Sequence, residues 1–223
     1  MRTLRVLARL LCYPSAELRQ AAPELRAILA EEGALPAKHR AAIGALIDAI
    51  AGDSLFDAQE RYVALFDLGR GCSLHLFEHV YGDSRERGQA MVALADRYRA
   101  AGLAVSANEL PDYLPLVLEY ISVAPAAEAK GLLAEIAHVV EALGQRLAKR
   151  ESPYAAVMAA LGALAGKRLH STADLVTIDD DDSPEALDRA WEEAAVTFGP
   201  ENAPKGGGCD RAAAIVSRMN QGS

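Results

Sequence analysis

Apolar residues recur at helical spacing along most of this chain. Between residues 132 and 147 they step by one, three or four positions, which places a single apolar stripe along one long helix. A shorter stripe runs from Ile43 to Ile50. No convincing alternation with a period of two is present, so the pattern predicts an all-α fold whose neighbouring helices are mostly antiparallel. About nine helices are predicted, over residues 3–12, 15–31, 37–51, 54–67, 84–101, 110–123, 126–149, 153–169 and 184–198.

Local residue choice marks several of these helix starts. Ser152-Pro153 and Ser183-Pro184 each place an N-cap residue before a proline in the first turn. The spacing of Ser106 and Glu109 matches a capping box. These signals divide the apolar pattern into separate helices rather than one long rod.

Two stretches interrupt the helical pattern. Residues 171–183 include four consecutive aspartates at 179–182 and predict an acidic, mobile loop. Residues 199–223 contain two prolines and three consecutive glycines at 206–208, which is typical of a flexible segment. We therefore expect a single globular helical domain over residues 1–198, which includes the acidic loop, followed by a flexible Gly/Pro-rich C-terminal tail.

Composition and charge limit the partners. The 223 residues are 51% hydrophobic and 24% charged, with a net charge of −8. Nucleic acids and anionic membranes require a basic surface, so neither is expected as a stable partner, whereas a basic peptide is favoured. No apolar run is long enough for a transmembrane helix. The three cysteines lack any CxxC spacing, which is typical of reduced thiols and predicts a cytoplasmic protein; they are Cys12, Cys72 and Cys209.

Aromatic residues concentrate in the middle of the chain, with eight of the twelve between residues 56 and 120. Phe56, Phe66 and Tyr98 stand at helical spacing and are expected to fill the core. Phe77 and Tyr81, like Tyr113 further on, lie near Gly- and Pro-rich turns, where a ring can line a groove instead.

The segment from His75 to His79 matches the HxxEH pattern of inverted zinc peptidases. On a helix, His75 and His79 would lie one turn apart and could share a zinc ion, with Glu78 as the base. A third ligand is not identifiable, and Gly71 and Gly82 leave space for a short helix only. A zinc hydrolase is therefore the less favoured alternative, and we expect no metal, no cofactor and no catalytic residue.

Carboxylates form a second pattern around two prolines. Glu119 follows Asp112 by seven positions, which corresponds to two helical turns on one face. Both carboxylates could face a cationic ligand, and a basic amphipathic helix would suit such a groove. Glu109 and Asp112 could equally be helix-capping residues.

Residues 62–91, which include the runs FDLGRG and HLFEHVYG, closely resemble the signature of the NarJ family, the delta-subunit assembly chaperones of respiratory nitrate reductase. Residues 109–115 (ELPDYLP) and 117–120 match the second block of that signature. Weaker similarity at residues 10–14, 150–154 and 190–193 extends the resemblance over about residues 4–198. Many relatives carry His where this chain has Tyr113.

The resemblance implies the all-helical fold of the TorD and DmsD group of chaperones. It also implies cytoplasmic binding of the apo catalytic (alpha) subunit of nitrate reductase, partly through the basic N-terminal segment of that subunit. This binding accompanies molybdenum cofactor insertion and precedes membrane attachment, and a free monomer without enzymatic activity is expected. A chaperone of another molybdoenzyme, which binds a twin-arginine leader, is the alternative. By position in the motifs, the peptide-binding residues would be Phe66, Asp67, Arg70, Phe77, Glu78, Tyr81, Asp112, Tyr113 and Glu119.

Overall fold

Helices make up most of the chain in the computed structural model, which describes residues 1–68, 70–82, 84, 86–105 and 109–166. Within these ranges there is no β-strand, and a single isolated antiparallel bridge is present. The all-α prediction is confirmed. In chain order the helices are α1 (Arg2–Leu10), α2 (Ala16–Gln20), α3 (Ala22–Glu32), α4 (Ala37–Gly52), α5 (Leu55–Phe66), α6 (Leu76–Tyr81), α7 (Glu86–Ala100), α8 (Leu114–Val123), α9 (Ala126–Lys149) and α10 (Ala155–Ala165).

A proline divides a segment that the apolar pattern predicts as one helix. Residues 15–31 form both α2 and α3, with the break at Ala21. Pro23 lies in the first turn of α3, where its missing N–H costs little. Inside a continuous helix the same proline would remove a hydrogen bond and clash with the preceding turn. The prediction of a single helix here is wrong for this reason.

Two further differences lie next to the functional site. Helix α6 has six residues, which is too short for periodicity to predict. Helix α8 begins four residues later than predicted because residues 110–113 form a turn, closed by the Tyr113 N–H donating to the Leu110 carbonyl at 3.1 Å. The loop before α6 and the turn before α8 both contribute residues to the site described below.

The interior is built from two sets of packed helices. Helix α10 packs against α9 and α4, while α1 packs against α8 and α3. Leu4, Leu7, Leu118, Leu143 and Val157 are fully buried in one continuous core. Burial of each such side chain contributes about 1.5–3 kcal/mol of transfer free energy. This core fixes the C-terminal end of α1 beside α8.

Helix α5 presents its apolar residues at four-residue spacing. Ala58, Tyr62 and Phe66 are buried, and the core positions predicted for Phe66 and Tyr98 are confirmed. Phe56 is 73% exposed, so its predicted core position is wrong. It stands two positions before Ala58, which places it on nearly the opposite face of the helix.

Several predictions fall on residues outside the described ranges. These are the helix at 184–198, the acidic loop at 171–183, the tail at 199–223, the domain boundary at 198 and the start of the capping box at 106. All the described residues belong to one compact unit. None of the helices they form is both long enough and apolar enough to cross a membrane.

Candidate functional site

A short antiparallel β-bridge joins the loop before α6 to the turn before α8. Two backbone hydrogen bonds form it, from the Leu76 N–H to the Asp112 carbonyl at 3.1 Å and from the Leu114 N–H to the Leu74 carbonyl at 2.8 Å. The bridge brings together the two sequence blocks that carry the family resemblance. The site is built on either side of this junction.

Asp112 lies at the centre of the junction and is fully buried. Its Oδ2 accepts a hydrogen bond from the Phe77 N–H at 3.0 Å, in the first turn of α6, and its Oδ1 lies 3.3 Å from His75 Nδ1. This hydrogen bond raises the pKa of His75, while partial burial of the ring opposes the rise. Because Asp112 precedes α8, its seven-residue spacing from Glu119 does not place the two carboxylates on one helical face. Of these two carboxylates, that of Glu119 is exposed and that of Asp112 is buried.

A cavity of about 320 Å³ opens beside this junction. Its walls come from the segment after α1, the C-terminal end of α5, the loop before α6 and the turn before α8. Aromatic rings and carboxylates make up most of the lining, so the cavity can hold a group that is both flat and cationic. The lining residues are Tyr13, Tyr62, Phe66, Asp67, Leu74, His75, Glu109 and Tyr113.

Two tyrosine hydroxyl groups close the inner wall of the cavity. The hydroxyl oxygens of Tyr62 and Tyr113 are 3.1 Å apart, and both hydroxyl groups donate to the Leu11 carbonyl, at 2.8 Å and 3.4 Å respectively. Burial raises the pKa of Tyr113 to about 12, and burial also raises the pKa of Tyr62. Both phenols therefore stay neutral at physiological pH and act as hydrogen-bonding groups.

The mouth of the cavity carries negative charge. Asp67 is an exposed lining residue, and partial burial nevertheless raises its pKa, against the influence of the nearby His75. Glu109 also lines the cavity. Burial raises the pKa of the Cys12 thiol, and the nearby Arg9 opposes this rise. Glu119 and Glu109 also lie close enough to Cys12 to raise its pKa. Three carboxylates thus surround the cavity and the end of α1.

The remaining predicted site residues lie on or before α6. The rings of Phe77 and Tyr81 pack edge to face with centroids 5.4 Å apart, and Glu78 forms an ion pair with Arg87 at 3.2 Å. None of these residues lines the cavity. Arg70 is exposed in the loop before α6.

The structure therefore divides the sequence-predicted residues into groups. Phe66, Asp67 and Tyr113 line the cavity, and Asp112 supports it from the interior. Glu119 stands on α8, close to Cys12 at the end of α1. The other four residues are Arg70, Phe77, Glu78 and Tyr81, which belong to the surface of the α6 region.

His79 is held by the protein on both sides of its ring. Arg146 Nη1 lies 3.2 Å from Nδ1, and Nε2 lies 2.8 Å from the Ser73 carbonyl. Since Arg146 can only donate, Nδ1 accepts and Nε2–H donates. Burial lowers the pKa of this histidine and favours the same neutral form. Neither ring nitrogen is available to a metal ion, and in the described part of the chain no three His, Cys, Asp or Glu residues are grouped to bind one.

Sequence reasoning did not select five of the eight lining residues for the peptide site, and one of them, His75, was predicted only as a candidate zinc ligand. Tyr13 belongs to a weakly similar block at residues 10–14, and Glu109 opens the second strong block, so the resemblance contained a signal for both. Tyr62 and Leu74 fall within the first strong block. Their shared role depends on contacts between segments far apart along the chain, which local patterns do not specify.

Comparison with known proteins identifies the family of this chain. The sequence model of a family described as "Nitrate reductase delta subunit" matches residues 15–160. The nitrate reductase molybdenum cofactor assembly chaperone NarJ of Escherichia coli (strain K12) is 43% identical over 198 residues, which cover 87% of this chain and 84% of the relative. The probable assembly chaperone NarW of the same strain is 47% identical over 152 residues, covering 67% of this chain and 66% of the relative.

A more distant relative extends the comparison beyond that species. The probable nitrate reductase molybdenum cofactor assembly chaperone NarJ of Bacillus subtilis (strain 168) is 31% identical over 156 residues, which cover 70% of this chain and 84% of the relative. The resemblance noted in the sequence is thus confirmed. Both the matched family and the extent of these similarities show that this chain belongs to the nitrate reductase delta subunit family.

Proposed function

We propose that this chain is the assembly chaperone of a nitrate reductase. It binds the apo catalytic subunit, including the basic N-terminal segment of that subunit, and supports molybdenum cofactor insertion before membrane attachment. It acts in the cytoplasm and catalyses no reaction of its own. The names of the curated relatives, which describe assembly chaperones rather than enzymes, support this role.

The observation that carries the proposal is the cavity where the two family blocks meet. It combines buried aromatic side chains with carboxylates at its mouth. A basic segment with apolar neighbours matches both features, because the carboxylates attract its charge and the rings bury its apolar surface. Arg70, Phe77, Glu78, Tyr81 and Glu119 would extend the contact beyond the cavity, while Asp112 would hold its base in place.

The chaperone must release its client, so the affinity is expected to be moderate. A micromolar dissociation constant corresponds to about −8 kcal/mol at 25 °C. A few buried apolar anchors surrounded by charged groups can supply this amount. Much tighter binding would oppose transfer of the subunit to its membrane partners.

Isothermal titration calorimetry tests the proposal. The titrant is a synthetic peptide with the N-terminal sequence of the nitrate reductase catalytic subunit from the same genome, measured at two salt concentrations. We expect micromolar binding that weakens with salt. The control peptide carries glutamine at each basic position and should bind more weakly, with little dependence on salt.

Two outcomes would contradict the assignment. If the twin-arginine leader of another molybdoenzyme binds and the nitrate reductase peptide does not, the client is wrong. If neither peptide binds and the full-length apo catalytic subunit does not co-purify with the chain, the proposed chaperone function is wrong.

A further inference from the structure

The cavity has the size of a small-ligand site and is too small to hold a helix. Its volume of about 320 Å³ lies at the lower end of the range of roughly 300–1,000 Å³ that is typical of small-ligand sites. A peptide helix with its side chains is about 10–12 Å in diameter. A helical client segment therefore cannot enter the cavity as a whole, and only side chains that project from it can.

We infer that the cavity anchors one arginine side chain of the client segment between the carboxylates of Asp67 and Glu109. The rings of Tyr13 and Tyr113 form the walls against which the guanidinium group packs. This inference rests on the proposed function and specifies the residue type that the site selects.

Charge is the first argument for a cation. In the described part of the chain, no Lys or Arg lies within ion-pair distance of Asp67 or Glu109. Among the described residues that line the cavity, His75 is the only basic one, and its Nδ1 already faces the buried Asp112 carboxylate. When His75 is protonated, the Asp112 carboxylate therefore balances its positive charge. Within the described lining, the net charge offered to a ligand is therefore that of the two carboxylates.

The aromatic walls are the second argument, and they favour arginine over lysine. Tyr13 is 49% exposed, and its ring is held edge to face against Tyr62 with centroids 5.6 Å apart. The Tyr113 ring is fixed by its hydroxyl contact with Tyr62 and by the His75 ring at 5.5 Å. A planar, weakly hydrated guanidinium stacks on such rings and bonds to two carboxylates at once, whereas an ammonium group does neither as well.

Exposed apolar residues next to the carboxylates define the neighbours of that arginine. Leu68 directly follows Asp67 and is 53% exposed, and Leu110 directly follows Glu109 and is 46% exposed. Large apolar side chains at these positions can bury apolar residues of a bound segment. The segment that fits is therefore an arginine flanked by apolar residues.

The test is a double-mutant cycle between peptide and protein. The peptide is the client N-terminal peptide used above, with each arginine replaced singly by lysine or by glutamine. The protein variants are Asp67→Asn with Glu109→Gln and, as a control, Glu24→Gln with Glu60→Gln. Both double variants remove two negative charges, and the control residues are exposed and do not line the cavity.

We expect a single arginine whose change to glutamine weakens binding to the unmodified protein about tenfold or more. Its change to lysine should recover only part of that loss. The same changes should have little further effect on the Asp67→Asn/Glu109→Gln variant but their full effect on the control variant. A Tyr13→Ala variant should reduce the preference for arginine over lysine.

The outcomes separate the inference from the function on which it rests. One outcome is that the unmodified peptide binds while each arginine substitution lowers its affinity for the Asp67→Asn/Glu109→Gln variant as much as for the control variant. In that case the arginine anchor is wrong and the chaperone function stands. Equal affinity for the lysine and arginine peptides would also overturn it. If no client peptide binds to the unmodified protein, the inference fails together with the peptide-binding part of the proposed function. Thermal unfolding of each variant establishes that it is folded.

Discussion

The Leu11 carbonyl illustrates how single hydrogen bonds hold the cavity together. Helix α1 ends beside it, and the hydroxyl groups of Tyr62 and Tyr113 both donate to it from segments that lie far away in sequence. A buried carbonyl that loses its donor costs more than an ordinary hydrogen bond contributes. The inner wall therefore depends on this shared acceptor.

Replacement of Tyr62 by Phe removes the shorter of the two hydrogen bonds, at 2.8 Å, and leaves Tyr113 at 3.4 Å. We expect Tyr62→Phe to lower the free energy of unfolding by about 1 kcal/mol, measured by urea denaturation. Tyr81→Phe is the matched control because its hydroxyl makes no hydrogen bond to any other described residue, and it should change stability little. Equal losses for both variants would contradict a role of the Leu11 contact.

Protonation of His75 strengthens its interaction with Asp112, which gives a second prediction at the residue scale. The hydrogen bond to Asp112 raises the folded-state pKa of His75. The resulting stabilisation is fully present below the unfolded-state pKa of about 6.5 and is lost as pH rises through the folded-state pKa. The stability advantage of the unmodified protein over His75→Gln should therefore be greatest at about pH 5.5 and decline by about pH 8.5.

The stability of the unmodified protein has to be compared with that of His75→Gln because His79 acts in the opposite direction. Burial lowers the pKa of His79, so its protonation at low pH opposes folding. The difference between the unmodified protein and His75→Gln removes most of this opposite contribution, because His79 is present in both proteins. Urea denaturation at each pH provides the measurement. An advantage that is constant, or that grows as pH rises, would contradict the His75–Asp112 interaction.

At the scale of secondary structure, α9 contains two glycines in different surroundings. A Cβ at Gly144 would lie 3.1 Å from Met158 Cβ on α10, whereas a Cβ at Gly131 would meet no atom within 4 Å. Helices α9 and α10 pack closely at Gly144, whereas Gly131 is exposed and faces open space. Gly144 therefore allows close packing at a cost in helix propensity.

Alanine at the two positions should act in opposite directions. Gly131→Ala should raise the free energy of unfolding by about 0.5–1 kcal/mol, since alanine favours the helical conformation. Gly144→Ala should gain the same amount of helix propensity, but the added methyl group crowds the buried Met158. Overpacking costs about 1–3 kcal/mol, so a net decrease in the free energy of unfolding is expected. Thermal or urea unfolding of both variants tests this. A gain of similar size at both positions would show that the α9–α10 contact relaxes freely.

At the scale of the whole molecule, charge governs how a basic segment approaches. The chain carries a net charge of −8, and three carboxylates surround the cavity and the end of α1. Long-range attraction between opposite charges accelerates encounter, and salt screens it over a Debye length of about 8 Å at physiological ionic strength. Rapid-mixing measurements with the client peptide should therefore show an association rate that falls several-fold between about 50 and about 500 mM salt, with a smaller change in dissociation rate. A salt effect confined to dissociation would contradict electrostatic steering.

The sequence was sufficient to predict the helical architecture where periodicity is long and regular. Helix α9 coincides with its predicted range, residues 126–149, because seven buried residues form one apolar stripe. It was insufficient where helices are short or begin after an irregular turn, as for α6 and α8. There the hydrogen bonds of the β-bridge decide the boundary, and they join residues more than thirty positions apart.

For the site, the sequence alone determined the family and the two blocks that meet at the cavity, since both are continuous stretches of chain. Only the tertiary structure decided the role of each residue in them. It buries Asp112 under His75 and Phe77, occupies both ring nitrogens of His79, and brings Tyr13 and Glu109 to the same cavity. The physical reason is that exposure and electrostatic surroundings arise from contacts between distant segments. A sequence pattern records which groups are present, and the fold decides which of them face a ligand.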